Sequence, residues 1–225
     1  MLKAVIFDFD GVIADSEVLH FRAFNEVLKD HGFQIGRPDY YRHYLGLSDR
    51  DCFTTLIEEG RLALDKDRIP DLTARKKQVY KDMAQTEGHV IEGVRPFLER
   101  LAAAGLLRAI CSGALQAEIE LVLDQANLRH HFSALVAADH VQRGKPDPEG
   151  YLLTLKQLQT IAPALQAKNC VVVEDSQWGL TAARAAGMAT LAVTNSYPAD
   201  QLHMADKVVA HLDEVTVTDL QGLCR

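Results

Sequence analysis

Residues 1–11 of the chain are MLKAVIFDFDG, and their pattern indicates the fold class. Its segment 3–7, KAVIF, is a short continuous apolar run, which is typical of a β-strand buried on both faces of a sheet. The run stops at Asp8 and Asp10, far short of the roughly 18 apolar residues that a membrane span requires. It is also too short for a signal peptide. Because side chains alternate along a strand, Asp8 and Asp10 are expected on the same side of the chain.

Similar apolar runs recur through the rest of the chain and predict further buried strands. They occupy residues 107–111, 134–138, 170–173, 190–193 and 208–210. Helical patterns lie between them and stop at glycine, at Gly105 and Gly187, as helix C-caps favour. Strands that alternate with helices predict an α/β fold with a Rossmann-like parallel sheet covered on both faces.

The segment from 15 to 91 follows a different pattern. Strand-like runs are missing there, and apolar residues recur at the i, i+3, i+7 spacing of a helix face, first at Phe21, Phe24 and Leu28. We therefore predict an α-helical cap at 15–91, inserted into an α/β core formed by 1–14 and 92–225.

Composition narrows the class of protein. The 225 residues include 24 Lys and Arg against 31 Asp and Glu, for a net charge of -7, without a block of basic residues. A nucleic-acid or anionic-membrane partner is not expected, since both require a basic patch. The four cysteines are far apart and form no CxxC pair, which argues against a disulfide framework or a zinc site. We expect a cytoplasmic protein, a monomer or small homo-oligomer.

Paired acids follow two of the predicted strands, where ligands of α/β sheets bind. Asp8 and Asp10 follow the first strand, and Glu174 and Asp175 follow the apolar run 171–173. Neighbouring carboxylates raise one another's pKa unless a cation lies between them. Such a pair can hold a hard cation and supply a nucleophilic carboxylate. A solvated turn or a helix N-cap is the alternative for either pair.

Two further strand ends carry groups suited to a phosphoryl ligand. Ser112 and Gly113 follow the run 107–111, where a hydroxyl and main-chain N–H groups can bind phosphoryl oxygens. Lys145 lies in GKPDP, and its flanking prolines favour a positioned ammonium that can neutralise a transferring phosphoryl group. A helix N-cap serine and a solvated lysine are the alternatives.

Together these motifs resemble those of the haloacid dehalogenase-like hydrolase superfamily. Within it, the chain is similar to the branch with a helical cap after the first strand, which includes β-phosphoglucomutase and related sugar-phosphate phosphatases. The matching motifs are Asp8-Phe9-Asp10-Gly11, Ser112, Lys145 and Glu174-Asp175. The resemblance covers nearly the whole chain, cap included.

The resemblance implies a mechanism and a cofactor. Asp8 would attack phosphorus and form an aspartyl-phosphate, and Asp10 would act as general acid and then general base. Mg²⁺ would be held by the Asp8 carboxylate, the Asp10 main-chain carbonyl and Asp175, with Glu174 close by or acting through water. A small phosphorylated metabolite would be the substrate.

The cap bears on the choice among relatives. His20 matches the mutase histidine that aligns the acid/base, although an ordinary surface histidine is the alternative. Lys76 matches the mutase cap lysine, and the resemblance makes Lys76 and Arg50 candidate substrate-binding residues. Leu45 stands where the mutase substrate loop has a lysine, Asp49 stands at its arginine position, and Arg50 is displaced by one. A mutase needs cations to hold a distal phosphate. We therefore expect a phosphatase that acts on sugar phosphates; the alternatives are a β-phosphoglucomutase-type phosphohexomutase and a non-catalytic binding protein.

Overall fold

A computed structural model describes residues 1–45, 47–87 and 90–224. One parallel sheet has the strand order β3-β2-β1-β4-β5-β6. Its strands are β1 Ala4–Phe7, β2 Leu107–Cys111, β3 Ala134–Val136, β4 Cys170–Glu174, β5 Ala189–Val193 and β6 Lys207–Val209. This order is that of a doubly wound α/β sheet, so the predicted fold class is confirmed.

The α-helices lie between and after these strands in the chain. They are α1 Ser16–Lys29, α2 Arg37–His43, α3 Asp49–Glu58, α4 Ile69–Glu87, α5 Val94–Ala103, α6 Gln116–Gln125, α7 Glu149–Gln159, α8 Gln177–Ala185 and α9 Val217–Leu223. Within the described segments, no helix is both long and apolar enough to cross a membrane.

Internal contacts divide the chain into two compact units. One unit comprises Met1–Asp15 and His89–Arg225, and the other comprises Ser16–Gly88. The cap predicted at 15–91 begins one residue earlier and ends three residues later than the second unit.

Strand periodicity explains how the core of the first unit is layered. Val5 and Phe7 point to one face of β1 and join a cluster that includes Phe97 of α5. Ala4 and Ile6 point to the other face, in a second cluster. All four positions of β1 are buried, as a strand covered by helices on both faces requires.

The second unit has its own apolar core, formed mainly by α1, α3 and α4. Phe24 and Leu28 of α1 pack in one cluster with Phe53 and Leu56 of α3. Their spacing is the helical repeat seen in the sequence. Helix α4 begins at Ile69 and has Pro70 in its first turn, where proline is tolerated because its missing N–H would have no helical partner.

Candidate active site

The site begins at the carboxyl end of β1, the central strand of the sheet. The Asp8 amide donates a hydrogen bond to the carbonyl of Val173 at 2.9 Å, which continues the pairing with β4 by one residue. The chain then turns sharply, and the Phe9 carbonyl accepts from Ile13 and Ala14 at 2.8 and 3.0 Å. This turn fixes the buried Asp8 side chain at the edge where ligands of parallel sheets bind.

Lys145 joins the acids of two strand ends. Its Nζ lies 2.7 Å from Oδ1 of Asp8 and 2.6 Å from Oε1 of Glu174. Burial opposes the charge on Lys145, but Asp8 and Glu174 together raise its pKa well above the usual value. The ammonium is therefore permanently charged, as a group that offsets phosphoryl charge needs to be.

Glu174 is saturated by hydrogen bonds. Its Oε1 accepts from Lys145 and, at 3.1 Å, from the Tyr151 hydroxyl. Its Oε2 accepts from the Asp175 amide and from the amide and hydroxyl of Ser176, at 2.8–2.9 Å. Burial opposes its ionisation, but Lys145 and the Ser176 hydrogen bonds hold its pKa below the usual value. Glu174 thus anchors both Lys145 and the turn that carries Asp175.

A glycine leaves room for this carboxylate. A Cβ added to Gly179 in α8 would lie 1.5 Å from Oε1 of Glu174. We expect Gly179→Ala to displace Glu174, to cost about 1–3 kcal/mol of unfolding free energy from overpacking, and to lower phosphate release. Urea unfolding and p-nitrophenyl phosphate hydrolysis measure the two effects.

Gly222 in α9 is the matched control, because an added Cβ there meets nothing within 4 Å. Gly222→Ala should be neutral or stabilising by up to about 1 kcal/mol. Equal behaviour of the two variants would contradict the packing argument.

Asp175 is fixed from the opposite side. The Ser196 hydroxyl donates to its Oδ2, and the Asn195 side-chain amide donates to the Gly11 carbonyl at 2.7 Å. Gly11 has φ +72°, a left-handed conformation that favours glycine, and an added Cβ would lie 1.8 Å from Oδ2 of Asp175. The loops after β1, β4 and β5 therefore meet at Gly11.

Ser112 lies beside the same cluster. Its amide donates to Val136, which holds it at the end of β2, and its hydroxyl oxygen accepts from the Ala114 amide at 3.0 Å. The hydroxyl proton can still be donated to a ligand. Ser112, Gly113 and Lys145 line one cavity of about 180 Å³, so the predicted phosphoryl-binding groups are brought together.

The donor set fits a divalent cation. Carboxylate oxygens of Asp8, Glu174 and Asp175 lie within 4.8 Å of one another, and all three residues are buried. Lys145 offsets only one of the three charges. Among the described residues, the contact that Oδ1 of Asp8 makes is its ion pair with Lys145 at 2.7 Å, which leaves this buried oxygen able to bind a cation.

The close packing of these buried carboxylates also raises the pKa values of Asp8 and Asp175. Burial, opposed by Lys145, raises the pKa of Asp8 to about 7. Burial and the charges of Glu174 and Asp8 raise the pKa of Asp175 well above its usual value. A hard cation among these oxygens would favour their ionised forms. The part that Asp10 takes, through its carboxylate or its main-chain carbonyl, stays a prediction.

In the cap unit, the predicted residues His20 and Lys76 are in contact, whereas Arg50 is not part of that contact. Nζ of Lys76 contacts Nδ1 of His20 and lies 2.5 Å from Oδ1 of Asp49. Lys76 is only 1% exposed, and burial lowers its pKa although Asp49 opposes that effect. Arg50 is exposed and lines a separate cavity with Thr54 and other residues of the cap. Asp49 thus neutralises the lysine that the sequence predicted as substrate-binding.

His20 should remain uncharged at ordinary pH. Burial, and then the charge of Lys76, lower its pKa from 6.5 to about 3. Between these two pKa values, the unfolded chain binds a proton at His20 that the folded chain does not. The contribution of His20 to the free energy of unfolding therefore falls as pH drops below about 6.5. We expect the His20 NMR signal, assigned with His20→Gln, to show no titration between pH 5 and 8. A midpoint inside that window would contradict the assigned environment.

Three residues of the site were not found in the sequence. Asn195 and Ser196 follow β5, and the rule that directs attention to strand ends would have indicated them. Tyr151 lies within α7 and gives no local signal, because its role depends on tertiary contact with Glu174.

A parallel sheet with acids, a lysine and a serine at its carboxyl edge, and a helical unit inserted after the first strand, defines the class of capped α/β hydrolases. The chain belongs to the haloacid dehalogenase-like hydrolases, whose family model matches residues 5–193. The resemblance stated from the motifs is therefore confirmed, and relatives named as phosphatases support phosphoric monoester hydrolysis as the activity.

Several named proteins are similar in sequence or structure to most of this chain. A phosphorylated carbohydrates phosphatase of Thermotoga maritima is 32% identical over 83% of this chain and 82% of its own length. The fructose-1-phosphate phosphatase YqaB of Escherichia coli is 34% identical over 82% and 92%. A solved structure of a candidate β-phosphoglucomutase from Thermotoga maritima has a TM-score of 0.81 at 29% identity, and the match covers 99% of this chain and 100% of that one.

Proposed function

We propose that this protein is a Mg²⁺-dependent phosphatase that hydrolyses a small phosphorylated carbohydrate through an aspartyl-phosphate on Asp8. The observation that carries the proposal is the buried Asp8 carboxylate at the end of the central strand, paired with Lys145 and adjacent to Glu174 and Asp175. The carbohydrate class is supported by the relatives, which are named for phosphorylated carbohydrates and fructose 1-phosphate.

In the first step, an Asp8 carboxylate oxygen attacks phosphorus and the bond from phosphorus to the ester oxygen breaks. Asp10 gives its proton to the leaving oxygen, which departs as the sugar hydroxyl. In the second step, the Asp10 carboxylate takes a proton from water while that water attacks phosphorus. The bond to Asp8 breaks, and inorganic phosphate leaves.

The other residues manage charge. An anionic nucleophile and a phosphate dianion repel each other, and Lys145 offsets this repulsion from 2.7 Å. The Ser112 hydroxyl and the amides near Gly113 are suited to bind the phosphoryl oxygens. Bound Mg²⁺, held by Asp8, Asp175 and the Asp10 carbonyl, would supply further positive charge. Because Glu174 is saturated by protein donors, we assign it to positioning or to contact through water.

The charges of the cap favour a phosphatase over a mutase. A mutase must hold a second phosphate while the first is transferred, which requires uncompensated cations. Lys76 is instead paired with Asp49, and Arg50 lines a cavity of the cap with Thr54 and Thr73. The phosphohexomutase stays the second candidate, because His20 and Lys76 are both present and in contact.

The test is Mg²⁺-dependent phosphate release from a panel that includes fructose 1-phosphate, β-glucose 1-phosphate and phosphoglycolate. Free phosphate from related sugar phosphates, abolished by a chelator, is the expected result. Formation of glucose 6-phosphate with little free phosphate, dependent on a bisphosphate primer, would establish the mutase instead. Hydrolysis unaffected by chelation would overturn the metal assignment.

A further inference from the structure

The loop after β5 contacts both halves of the proposed metal site, which are the turn after β1 that contains Asp10 and the turn after β4 that contains Asp175. Asn195 donates its side-chain amide to the Gly11 carbonyl at 2.7 Å, and Ser196 donates its hydroxyl to Oδ2 of Asp175. Gly11 directly follows Asp10, and Asp175 directly follows β4. Two consecutive side chains thus connect two loops that are far apart in sequence.

The three loops approach too closely at this point for independent movement. A Cβ on Gly11 would lie 1.8 Å from Oδ2 of Asp175 and 2.7 Å from the Ser196 hydroxyl oxygen. Backbone and side chains are therefore in direct contact, and the position of Asp175 depends on the loop that carries Ser196. The same loop is itself tied to the sheet, because the Thr194 amide donates to the Val209 carbonyl at 3.1 Å.

Electrostatics explain why such support is needed. Asp175 is buried near the charges of Glu174 and Asp8, both of which oppose its ionised form. A hydroxyl donor on one oxygen orients the carboxylate and leaves a second oxygen for a cation. An amide donor on the Gly11 carbonyl fixes the main chain next to the Asp10 carbonyl. Groups that orient metal ligands in this way commonly contribute 10–100-fold to metal affinity.

We propose that Asn195 and Ser196 form a clamp that positions both halves of the Mg²⁺ site and sets the affinity for the metal. The inference rests on the proposed function, since it assumes that Asp8, Asp175 and the Asp10 carbonyl hold the cation. Asn195 and Ser196 are positioning residues, which act through Gly11 and Asp175 without touching the substrate.

The experiment is calorimetric titration of MgCl₂ into the metal-free, full-length protein, without substrate. Ser196→Ala and Asn195→Ala should each raise the Mg²⁺ dissociation constant by about 10–100-fold. The Mg²⁺ concentration for half-maximal phosphate release should rise in parallel, while kcat at saturating Mg²⁺ stays within about threefold of the wild-type value. Because each variant breaks a different half of the clamp, loss of folding in one leaves the other to decide.

Ser133→Ala is the matched control. Ser133 is exposed and precedes β3, so it lies at the opposite edge of the parallel sheet, and its substitution should change neither affinity nor melting temperature. A clamp variant with a lower melting temperature and unchanged Mg²⁺ affinity would show ordinary loop packing and overturn the proposal. Absence of Mg²⁺ binding by the wild-type protein would instead remove the proposed metal site, and the clamp with it.

Discussion

Asp8→Asn should reduce phosphate release by at least about 10⁴-fold, the scale on which loss of a nucleophile acts. Asparagine has nearly the same volume as aspartate but lacks the anionic oxygen that forms the bond to phosphorus. The fold should survive, because the Asp8 side chain is not needed for the main-chain hydrogen bond to Val173. Steady-state release of phosphate from the best substrate in the panel is the measurement.

The same substitution should stabilise the metal-free protein above neutral pH. Burial raises the pKa of Asp8 from 3.8 to about 7 in the folded protein. Between pH 3.8 and about 7, the carboxyl group therefore ionises in the unfolded chain but stays protonated in the folded one. Wild-type stability therefore falls as pH rises through this window, and Asp8→Asn removes that contribution. Thermal melts at pH 5 and pH 8 should show a gain at the higher pH.

Substitution of an exposed acid is the control for the expected loss of turnover and the expected gain in stability. Asp124→Asn, on the exposed side of α6, should leave both turnover and stability unchanged. Residual turnover of Asp8→Asn above about 1% of wild type in a contamination-free preparation would refute the nucleophile assignment.

Lys145→Met should damage both stability and activity. The substitution leaves Asp8, Glu174 and Asp175 buried together without their ammonium, and breaking a buried pair in this way costs about 3–5 kcal/mol. The loss should be larger at pH 8 than at pH 5, because protonation of the acids relieves their repulsion. Turnover should fall by about 10²–10³-fold or more, as when one preorganised donor is removed.

Lys207→Met is the comparison, since Lys207 also pairs with an acid, at 2.6 Å from Asp219, but with both side chains about one third exposed. Such a pair contributes about 0–1 kcal/mol. Chemical denaturation at the two pH values separates the variants. If Lys145→Met were no less stable than Lys207→Met, the buried charge cluster would not have the energetic role assigned to it.

The amino-acid sequence alone was enough to predict the parallel sheet and to name most of the candidate site residues. Continuous apolar runs such as 3–7 can be satisfied only by strands covered on both faces, and glycines mark where the intervening helices end. Because parallel strands share one carboxyl edge, the places of Asp8, Ser112 and Asp175 directly after predicted strands indicate that these side chains converge. Period and topology are local or general properties, so a single chain reveals them.

Only the tertiary structure decided what each side chain contacts. Lys76 was expected to bind substrate, yet its charge is taken up by Asp49, a residue 27 positions away. Glu174 was expected close to the metal or acting through water, and the donors that occupy its oxygens, from α7, Lys145 and its own turn, are known only from the structure. Such pairings depend on which faces of distant elements meet, and no local sequence pattern encodes that.

The same reason applies to the clamp and to the glycines. In the sequence, Gly179 and Gly11 have the pattern of ordinary helix and turn residues. In the structure, the space that a side chain at each position would need is filled by the carboxylate of Glu174 or Asp175, respectively. Asn195 and Ser196 are common loop residues until the end of β5 places them against Gly11 and Asp175. The sequence located the chemistry through its periodic pattern, whereas close packing between distant loops determined how the charges are balanced.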